Sequence, residues 1–175
     1  MSHILSHKAH EKAAAAKLRL GIMSFSDTRS EAEDRSGAIL KETLAAGGHE
    51  IVSYQLVRED PDLMKKALVD WLQRHDLDAI ITSGGTGLTE RDGTIEVARA
   101  FFTKELDGFG ELFRLISYQQ IGAAAMLSRA TAGLAGGKIL VCLPGSSRAV
   151  KLAATRLLLP QLPHMVWEIN RQKAG

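Results

Sequence analysis

An α/β fold with a mostly parallel central sheet is predicted for this chain by three features of its sequence. Short apolar runs alternate with longer segments that have the periodicity of amphipathic helices. Stretches rich in Gly, Ser, Thr and Asp follow the apolar runs, as expected where buried strands end in loops. The chain has 175 residues, 45% of them hydrophobic, which is enough for one domain with a substantial core.

The first half of the chain begins with two strand–helix units. The buried run Leu18–Met23 predicts the first strand, and Glu31–Ala46 has helical periodicity that ends at Gly47-Gly48. Ile51–Val57 predicts the second strand. A second helix is predicted to begin after Asp60, which is a favourable capping residue and is followed by proline at the first helical position.

The second half contains two further predicted strands, Ala79–Thr82 and Lys138–Leu143. The predicted helices are Thr94–Phe102 with Thr94 as its cap, Phe109–Ser117 with a continuation through Tyr118–Leu127, and Ala149–Leu159, which Pro160 ends. This alternation implies right-handed βαβ crossovers that place helices on both faces of the sheet.

Composition and charge argue against several classes of protein. The formal net charge is +2 and no basic run stands out, so nucleic-acid binding is not predicted. No apolar segment approaches the roughly 20 residues needed to span a bilayer, and the polar N-terminus does not resemble a signal peptide. The single cysteine, Cys142, lies in a predicted buried strand and cannot form an internal disulfide. We therefore expect a cytoplasmic protein without a membrane partner.

Residues 1–17 are predicted to form an N-terminal tail before a single domain over residues 18–175. His3, His7 and His10 would share one face of a helix in this tail, which is compatible with a metal site. We prefer the alternative, an exposed tail or a short helix that docks at a subunit interface, because three histidines without an anchored scaffold rarely form a defined site.

The segment Ala79–Asp92 carries the strongest functional signal. A predicted buried strand ends at Thr82, and a cluster of small residues follows at once: Ser83, Gly84, Gly85, Thr86 and Gly87. Glycine lets the backbone approach a ligand, and successive N–H groups in such a loop bind phosphate or carboxylate. The loop is neither a P-loop nor a dinucleotide fingerprint, because neither spacing is present. A tight turn that needs glycine for its shape is the alternative.

Three more polar loops follow predicted strands and are expected to meet this glycine loop. Ligands of parallel sheets lie beyond the carboxyl ends of the strands, so the four loops should form one pocket. The added candidates for ligand contacts are Ser26 and Asp27 after the first strand and Gly145, Ser146 and Ser147 after the fourth. Capping of the next helix explains the Ser and Asp residues equally well.

Two aspartates are candidates for catalysis and for holding a metal ion. Asp92 lies beside the glycine loop, and Asp60 follows the second predicted strand. Mg²⁺ commonly takes one or two carboxylates and fills its other positions with water and phosphate oxygens. Asp60 and Asp92 would be the natural pair for one Mg²⁺ that bridges nucleotide phosphates. The structural alternatives are helix capping by Asp60, and capping or pairing with Arg91 by Asp92.

A dense group of apolar residues follows the glycine loop. Its members are Phe101, Phe102, Phe109, Leu112, Phe113, Leu115 and Ile116. One domain is not expected to bury all of them, so a subunit interface is predicted, with ordinary core packing as the alternative.

These motifs together resemble the MoaB/MogA molybdopterin-binding family, which acts in molybdenum cofactor biosynthesis. The matching segments are Thr82–Thr89 with Arg91-Asp92, Glu105–Glu111, Leu127–Ala130 and Leu143–Ser146. The resemblance extends from about Leu18 to the C-terminus and is closer to the MoaB branch. Glu90 departs from the proline that many relatives have before Arg91-Asp92.

The resemblance implies a three-layer α/β/α domain that binds molybdopterin. In MogA-type enzymes, ATP and Mg²⁺ serve to adenylylate the terminal phosphate of molybdopterin. The two aspartates involved in family catalysis correspond here to Asp60 and Asp92, and the glycine loop and the Pro144-Gly145-Ser146 loop line the pocket. The resemblance also implies a homotrimer or hexamer and, as partners, other molybdenum cofactor biosynthesis proteins.

Three functions stay open at this point. The chain is a molybdopterin adenylyltransferase that uses ATP and Mg²⁺, a non-catalytic molybdopterin-binding or carrier protein of the MoaB branch, or an unrelated nucleotide-binding α/β domain. The match outside the glycine loop argues against the third function, and the two aspartates favour the first.

Overall fold

The computed structural model describes residues 16–171, which form a six-stranded sheet with helices on both faces. The strands are β1 (Arg19–Phe25), β2 (Glu50–Val57), β3 (Ala79–Ser83), β4 (Phe102–Glu105), β5 (Thr131–Ala135) and β6 (Lys138–Leu143), in the order β2-β1-β3-β6-β5-β4. The first four of this order pair in parallel, and β5 is antiparallel to both of its neighbours. The predicted α/β fold with a mostly parallel sheet is confirmed.

The described residues form six α-helices, of which the last two follow β6 and the others lie between strands: α1 (Arg35–Ala46), α2 (Pro61–Leu72), α3 (Thr94–Arg99), α4 (Asp107–Ile121), α5 (Ser147–Ala153) and α6 (Leu159–Asn170). Short 3₁₀ segments, Glu31–Glu33 and Gly122–Leu127, precede α1 and follow α4. The N-terminal histidines His3, His7 and His10 lie outside the described residues.

The core is divided by the sheet into two clusters because successive side chains of a strand point to opposite faces. On β1, Leu20 and Ile22 belong to the cluster that α1, α4, α5 and α6 cover. Met23 and Phe25 of the same strand belong to the cluster that α2 and α3 cover. The result is three layers, helix–sheet–helix. Within residues 16–171, no helix is both long and apolar enough to cross a membrane.

Two strands were not predicted from the sequence. β4 and β5 pair with each other, and β5 pairs with β6 across a turn in which Gly136 and Gly137 have φ of 54° and 75°. Two glycines between strands are typical of a tight hairpin, since both central residues of a type I′ turn need positive φ. This hairpin signal was present in the sequence, but β5 consists mostly of small residues and therefore has little β propensity.

Several helix boundaries differ from prediction: for example, the helix predicted over Thr94–Phe102 ends at Arg99, because Phe102 begins β4. Thr94 is the first residue of α3, not its cap; its hydroxyl donates to the Gly84 carbonyl instead. Pro160 does not end the final helix, because a π-helical segment, Ala154–Leu158, leads into α6 and places Pro160 in its first turn. A first-turn N–H has no helical partner to lose, so proline is tolerated there.

Candidate functional site

Loops that follow β1, β2, β3 and β6 meet beyond the carboxyl ends of these strands and enclose a cavity of about 460 Å³, here called the glycine-loop cavity. The expected convergence of four loops is therefore seen. The candidate ligand-binding residues that line this cavity are Ser26, Asp27, Gly84, Gly85, Thr86, Gly87, Asp92 and Gly145. The cavity is also lined by Pro144, which was expected there, and by Arg29, Glu59 and Leu127, which the sequence did not single out as ligand contacts.

The glycine loop is held in a conformation that a side chain would disturb. Gly84 and Gly85 have φ of 99° and 61°, in the region that favours glycine. A Cβ at Gly84 would lie 2.2 Å from the Phe25 carbonyl oxygen, so β1 and the loop touch at this point. The Gly84 N–H donates to the Leu143 carbonyl at 3.0 Å, and the Thr94 hydroxyl donates to the Gly84 carbonyl at 2.9 Å. The loop is thus fixed from β1, β6 and α3 together.

Ser83 lies beneath the cavity and is not among its lining residues. Its side chain is buried, and its hydroxyl lies 3.2 Å from that of Ser24 on the neighbouring strand. The hydroxyl that was expected to contact a ligand therefore takes part in a cross-strand contact. Thr86, which is also buried, lines the cavity from the glycine loop.

Asp92 lies at the end of the glycine loop with its carboxylate already partly satisfied. One oxygen accepts from the Thr89 N–H at 2.9 Å and from the Thr89 hydroxyl at 2.5 Å. These bonds, with the Gly87 N–H and the charge of Arg129, lower the pKa of Asp92. A Cβ at Gly87 would lie 2.7 Å from the same carboxylate oxygen, so glycine is needed for this approach. Asp92 is an ionised acid at neutral pH.

Of the two neighbouring acids in the loop after β2, Asp60 caps a helix and Glu59 lines the cavity. Asp60 caps α2: one oxygen accepts from the N–H groups of Asp62 and Leu63, each at 3.0 Å. Asp60 is not among the residues that line the cavity. Glu59, one residue earlier, lines the cavity instead.

The environment of Glu59 opposes its charge. Burial, together with the negative charges of Asp27 and Asp92, raises the pKa of Glu59. The Glu59 N–H donates to the Asp27 carboxylate at 3.0 Å, which fixes the loops after β1 and β2 against each other. Two acids of one cavity, Glu59 and Asp92, therefore have pKa values displaced in opposite directions, an arrangement common in catalytic sites.

Two arginines lie close to Asp27, and one of them, Arg91, also lines the cavity. Arg58 Nε lies 3.9 Å from one carboxylate oxygen of Asp27, and Arg91 Nη1 lies 3.7 Å from the other. A third arginine is placed differently: Arg129 donates to the Gly87 carbonyl at 2.8 Å and pairs with Glu96, which supports the glycine loop from outside.

The loop after β6 is shared between two cavities. Pro144 and Gly145 line the glycine-loop cavity, and the Gly145 carbonyl accepts from the Ser36 hydroxyl at 2.7 Å. Ser146 caps α5, and both Ser146 and Ser147 line a second cavity of about 460 Å³. Leu127 and Pro144 line both cavities, so the two are neighbours. The predicted single pocket is thus divided into two.

No cluster of three or more His, Cys, Asp or Glu side chains suited to a metal ion occurs within residues 16–171. A divalent cation at Asp92 and Glu59 would therefore need further oxygen ligands from water or from a bound phosphate. That is the usual way in which Mg²⁺ is held with a nucleotide. The predicted Mg²⁺ pair of Asp60 and Asp92 stays a prediction, with Asp60 now placed at the start of α2.

Comparison with known proteins places these features in a family. A model described as a probable molybdopterin binding domain matches residues 21–164. A molybdenum cofactor biosynthesis protein B from Bacillus cereus is 46% identical over 169 residues, which cover 96% of this chain and 100% of that protein. The corresponding protein of Bacillus subtilis is 40% identical over 97% of this chain and 100% of its own length.

Solved structures agree with the sequence comparison. A crystal structure of a molybdenum cofactor biosynthesis protein B superimposes with a TM-score of 0.87 at 46% identity, covering 90% of this chain and 98% of the other. The tungsten cofactor synthesizing protein MoaB from Pyrococcus furiosus gives a TM-score of 0.79 at 35% identity, with coverage of 87% and 97%.

Proposed function

Because this chain belongs to the molybdopterin-binding domain family of molybdenum cofactor biosynthesis proteins, we propose that it binds molybdopterin and adenylylates the molybdopterin phosphate with Mg²⁺ and ATP. In this reaction an oxygen of the molybdopterin phosphate attacks the α-phosphorus of ATP. A new P–O bond forms, the bond between the α- and β-phosphates breaks, and pyrophosphate leaves.

The observation that carries the proposal is the pair of adjoining cavities. The glycine-loop cavity combines loop glycines with the carboxylates of Asp27, Glu59 and Asp92, a composition suited to phosphates and a divalent cation. The second cavity is lined largely by the side chains of α4, α5 and the loop before β5, including Ile121, Leu127 and Leu152. Such an apolar surface suits a flat heterocycle such as the pterin. Two substrates can therefore meet at the shared boundary of Leu127 and Pro144.

Charge neutralisation is the main chemical task, since both substrates are anionic. Mg²⁺ at Asp92 and Glu59 would screen the phosphates and stabilise the leaving pyrophosphate. The glycine loop would steady the phosphates through backbone N–H groups, and its fixed conformation supplies the preorganisation that such transfers depend on. No side chain acts as a nucleophile in this scheme, so catalysis would come from positioning and electrostatics.

The test is pyrophosphate release from ATP and Mg²⁺ by the purified protein, with and without molybdopterin. We expect release only with the pterin. Asp92→Asn keeps the shape of the side chain but removes its charge, so turnover should fall by at least about 100-fold while pterin binding stays within a few-fold. Asp70→Asn, an exposed acid on α2, is the matched control and should retain full activity.

A non-catalytic carrier of molybdopterin is the second candidate, and one observation favours it. Asp60, one of the two expected catalytic acids, caps α2 and does not line the cavity. Tight pterin binding without pyrophosphate release would establish the carrier and exclude the transferase. Pterin-dependent release that persists in Asp92→Asn would keep the transferase but remove Asp92 from its mechanism.

A further inference from the structure

Arg58 and Arg91 differ from the other paired arginines of the fold in how loosely they are held. Arg19 donates to both carboxylate oxygens of Asp78 at 3.2 and 2.7 Å, and Arg99 makes equally close contacts with Glu105. The contacts of Arg58 and Arg91 with Asp27, at 3.9 and 3.7 Å, are longer than hydrogen bonds. These two guanidinium groups therefore lie near Asp27 without being locked to it.

Both side chains are almost fully accessible. Arg58 is 78% exposed and Arg91 is 79% exposed, whereas the Asp27 side chain between them is only 24% exposed. Exposed ion pairs of this kind contribute about 0–1 kcal/mol to stability. The fold thus gains little from these two arginines, and their position calls for a different explanation.

Arg91 lines the glycine-loop cavity, and Arg58 lies beside Asp27, which also lines it, so two separate loops bring these arginines to one side of the cavity. Arg58 follows β2 and Arg91 follows the glycine loop, yet both come to the same carboxylate, which lies in the loop after β1. Asp27 is itself anchored, since one of its oxygens accepts from the Glu59 N–H at 3.0 Å. The anchored carboxylate thus gathers two cations at one edge of the cavity.

The cavity needs such cations if an anion is to enter. Asp27, Glu59 and Asp92 all carry carboxylates into its lining, and together they repel phosphate. A guanidinium has five N–H donors, so Arg58 and Arg91 can each stay near Asp27 with one edge and offer the other edge to a phosphate. Contacts of this type match the spacing of phosphate oxygens.

We propose that Arg58 and Arg91 bind the polyphosphate chain of the nucleotide on the Asp27 side of the glycine-loop cavity. This assignment rests on the proposed use of ATP. It places the β- and γ-phosphates, which leave as pyrophosphate, at the solvent side of the cavity, and the α-phosphate further in, beside the glycine loop. The two arginines would then select a nucleoside triphosphate over a monophosphate.

Calorimetric titration of the full chain with Mg²⁺-ATP, AMP and inorganic tripolyphosphate tests the assignment. We expect Arg58→Gln and Arg91→Gln each to weaken ATP and tripolyphosphate binding about tenfold, and AMP binding by much less. The double variant, which lacks both arginines, should show a weaker dependence of affinity on salt concentration. Lys104→Gln removes one positive charge from β4 at the opposite edge of the sheet and is the matched control.

The outcomes separate this assignment from the proposed function. Wild-type protein that binds ATP, with arginine variants that bind it equally well, overturns the assignment and leaves the proposed function standing. Equal losses for AMP and ATP also overturn it, because the contact would then involve the α-phosphate. Wild-type protein that binds neither ATP nor tripolyphosphate removes the adenylylation step and this assignment together. Unchanged thermal unfolding of the variants would show that a loss of binding is not a loss of fold.

Discussion

The Glu59 carboxylate lies where it can contact a ligand but lowers the stability of the folded protein. Its neighbours Asp27 and Asp92 add negative charge, and burial removes the water that would solvate it. Asp92, by contrast, is stabilised as an anion by Thr89 and the loop backbone. The charged Glu59 side chain therefore destabilises the fold, but it places a carboxylate in the lining of the cavity.

Replacement of Glu59 by Gln should therefore stabilise the protein at neutral pH. The pKa of Glu59 is raised in the folded state, so the protonated side chain favours folding. This contribution to stability is fully present below the unfolded-state pKa of about 4.5 and is lost as pH rises through the folded-state pKa. The melting temperature of Glu59→Gln should exceed that of the wild type at pH 7, and the difference should shrink towards pH 4. Glu42→Gln, at an exposed position on α1, should show neither effect. An unchanged melting temperature at pH 7 would contradict this account.

The sequence could not decide that Glu59, and not Asp60, lines the glycine-loop cavity. Both acids lie in the three residues between Val57, where β2 ends, and Pro61, where α2 begins. The sequence predicted the cap correctly, because Asp before Pro is a strong helix-start signal. It could not show that the same cap occupies the Asp60 carboxylate and leaves Glu59 to line the cavity. That outcome depends on how β2 enters the loop.

At the scale of elements, the glycine loop depends on the packing of β1, β6 and α3 around it. Gly84→Ala should destabilise the protein by about 2 kcal/mol or more, because Ala is strained at positive φ and its Cβ would meet the Phe25 carbonyl. Gly108→Ala in α4 is the control: nothing lies within 4 Å of a Cβ there, and Ala is the better helix former. Urea unfolding measures both, and equal stabilities would refute the requirement for glycine at position 84.

The parallel part of the sheet was predictable because its strands are short, mainly apolar segments and a helical segment follows each of them. β4 and β5 were not predicted because neither is such a run. β4 has the sequence Phe-Thr-Lys-Glu, and β5 is rich in alanine and glycine. β5 is a strand because β6 offers it an edge to pair with, and β4 pairs in turn with β5, so both depend on the assembled sheet.

At the scale of the whole molecule, one apolar face has no cover from the described residues. Its members are Leu112, Leu115, Tyr118, Ile121, Met126 and Leu127, which are 40–80% exposed, whereas Phe109 and Phe113 of the same helix are in the core. The apolar group predicted after the glycine loop is therefore partly core and partly surface. An exposed patch of this kind is typical of an interface between subunits.

We expect the protein to assemble through this face. Light scattering should give a multiple of the 19.0 kDa chain mass, and Leu115→Glu should reduce the mass, because a charge cannot be buried cheaply between subunits. Leu63→Glu changes another exposed leucine, on α2, and should leave the assembly intact. A monomeric wild-type protein would remove the expected trimer or hexamer.

β6 lies in the middle of the sheet, between β3 and β5, although it follows all the other strands in the chain. Before residues 138–143 are synthesised, one edge of β3 has no neighbour, and an open strand edge invites pairing with other nascent chains. The carbonyl of Leu143 that holds Gly84, and the cavity wall at Gly145, arrive equally late. Translation must therefore reach about residue 145 before a growing chain can retain a ligand, and a pause upstream of that point would prolong its exposure to chaperones and proteases.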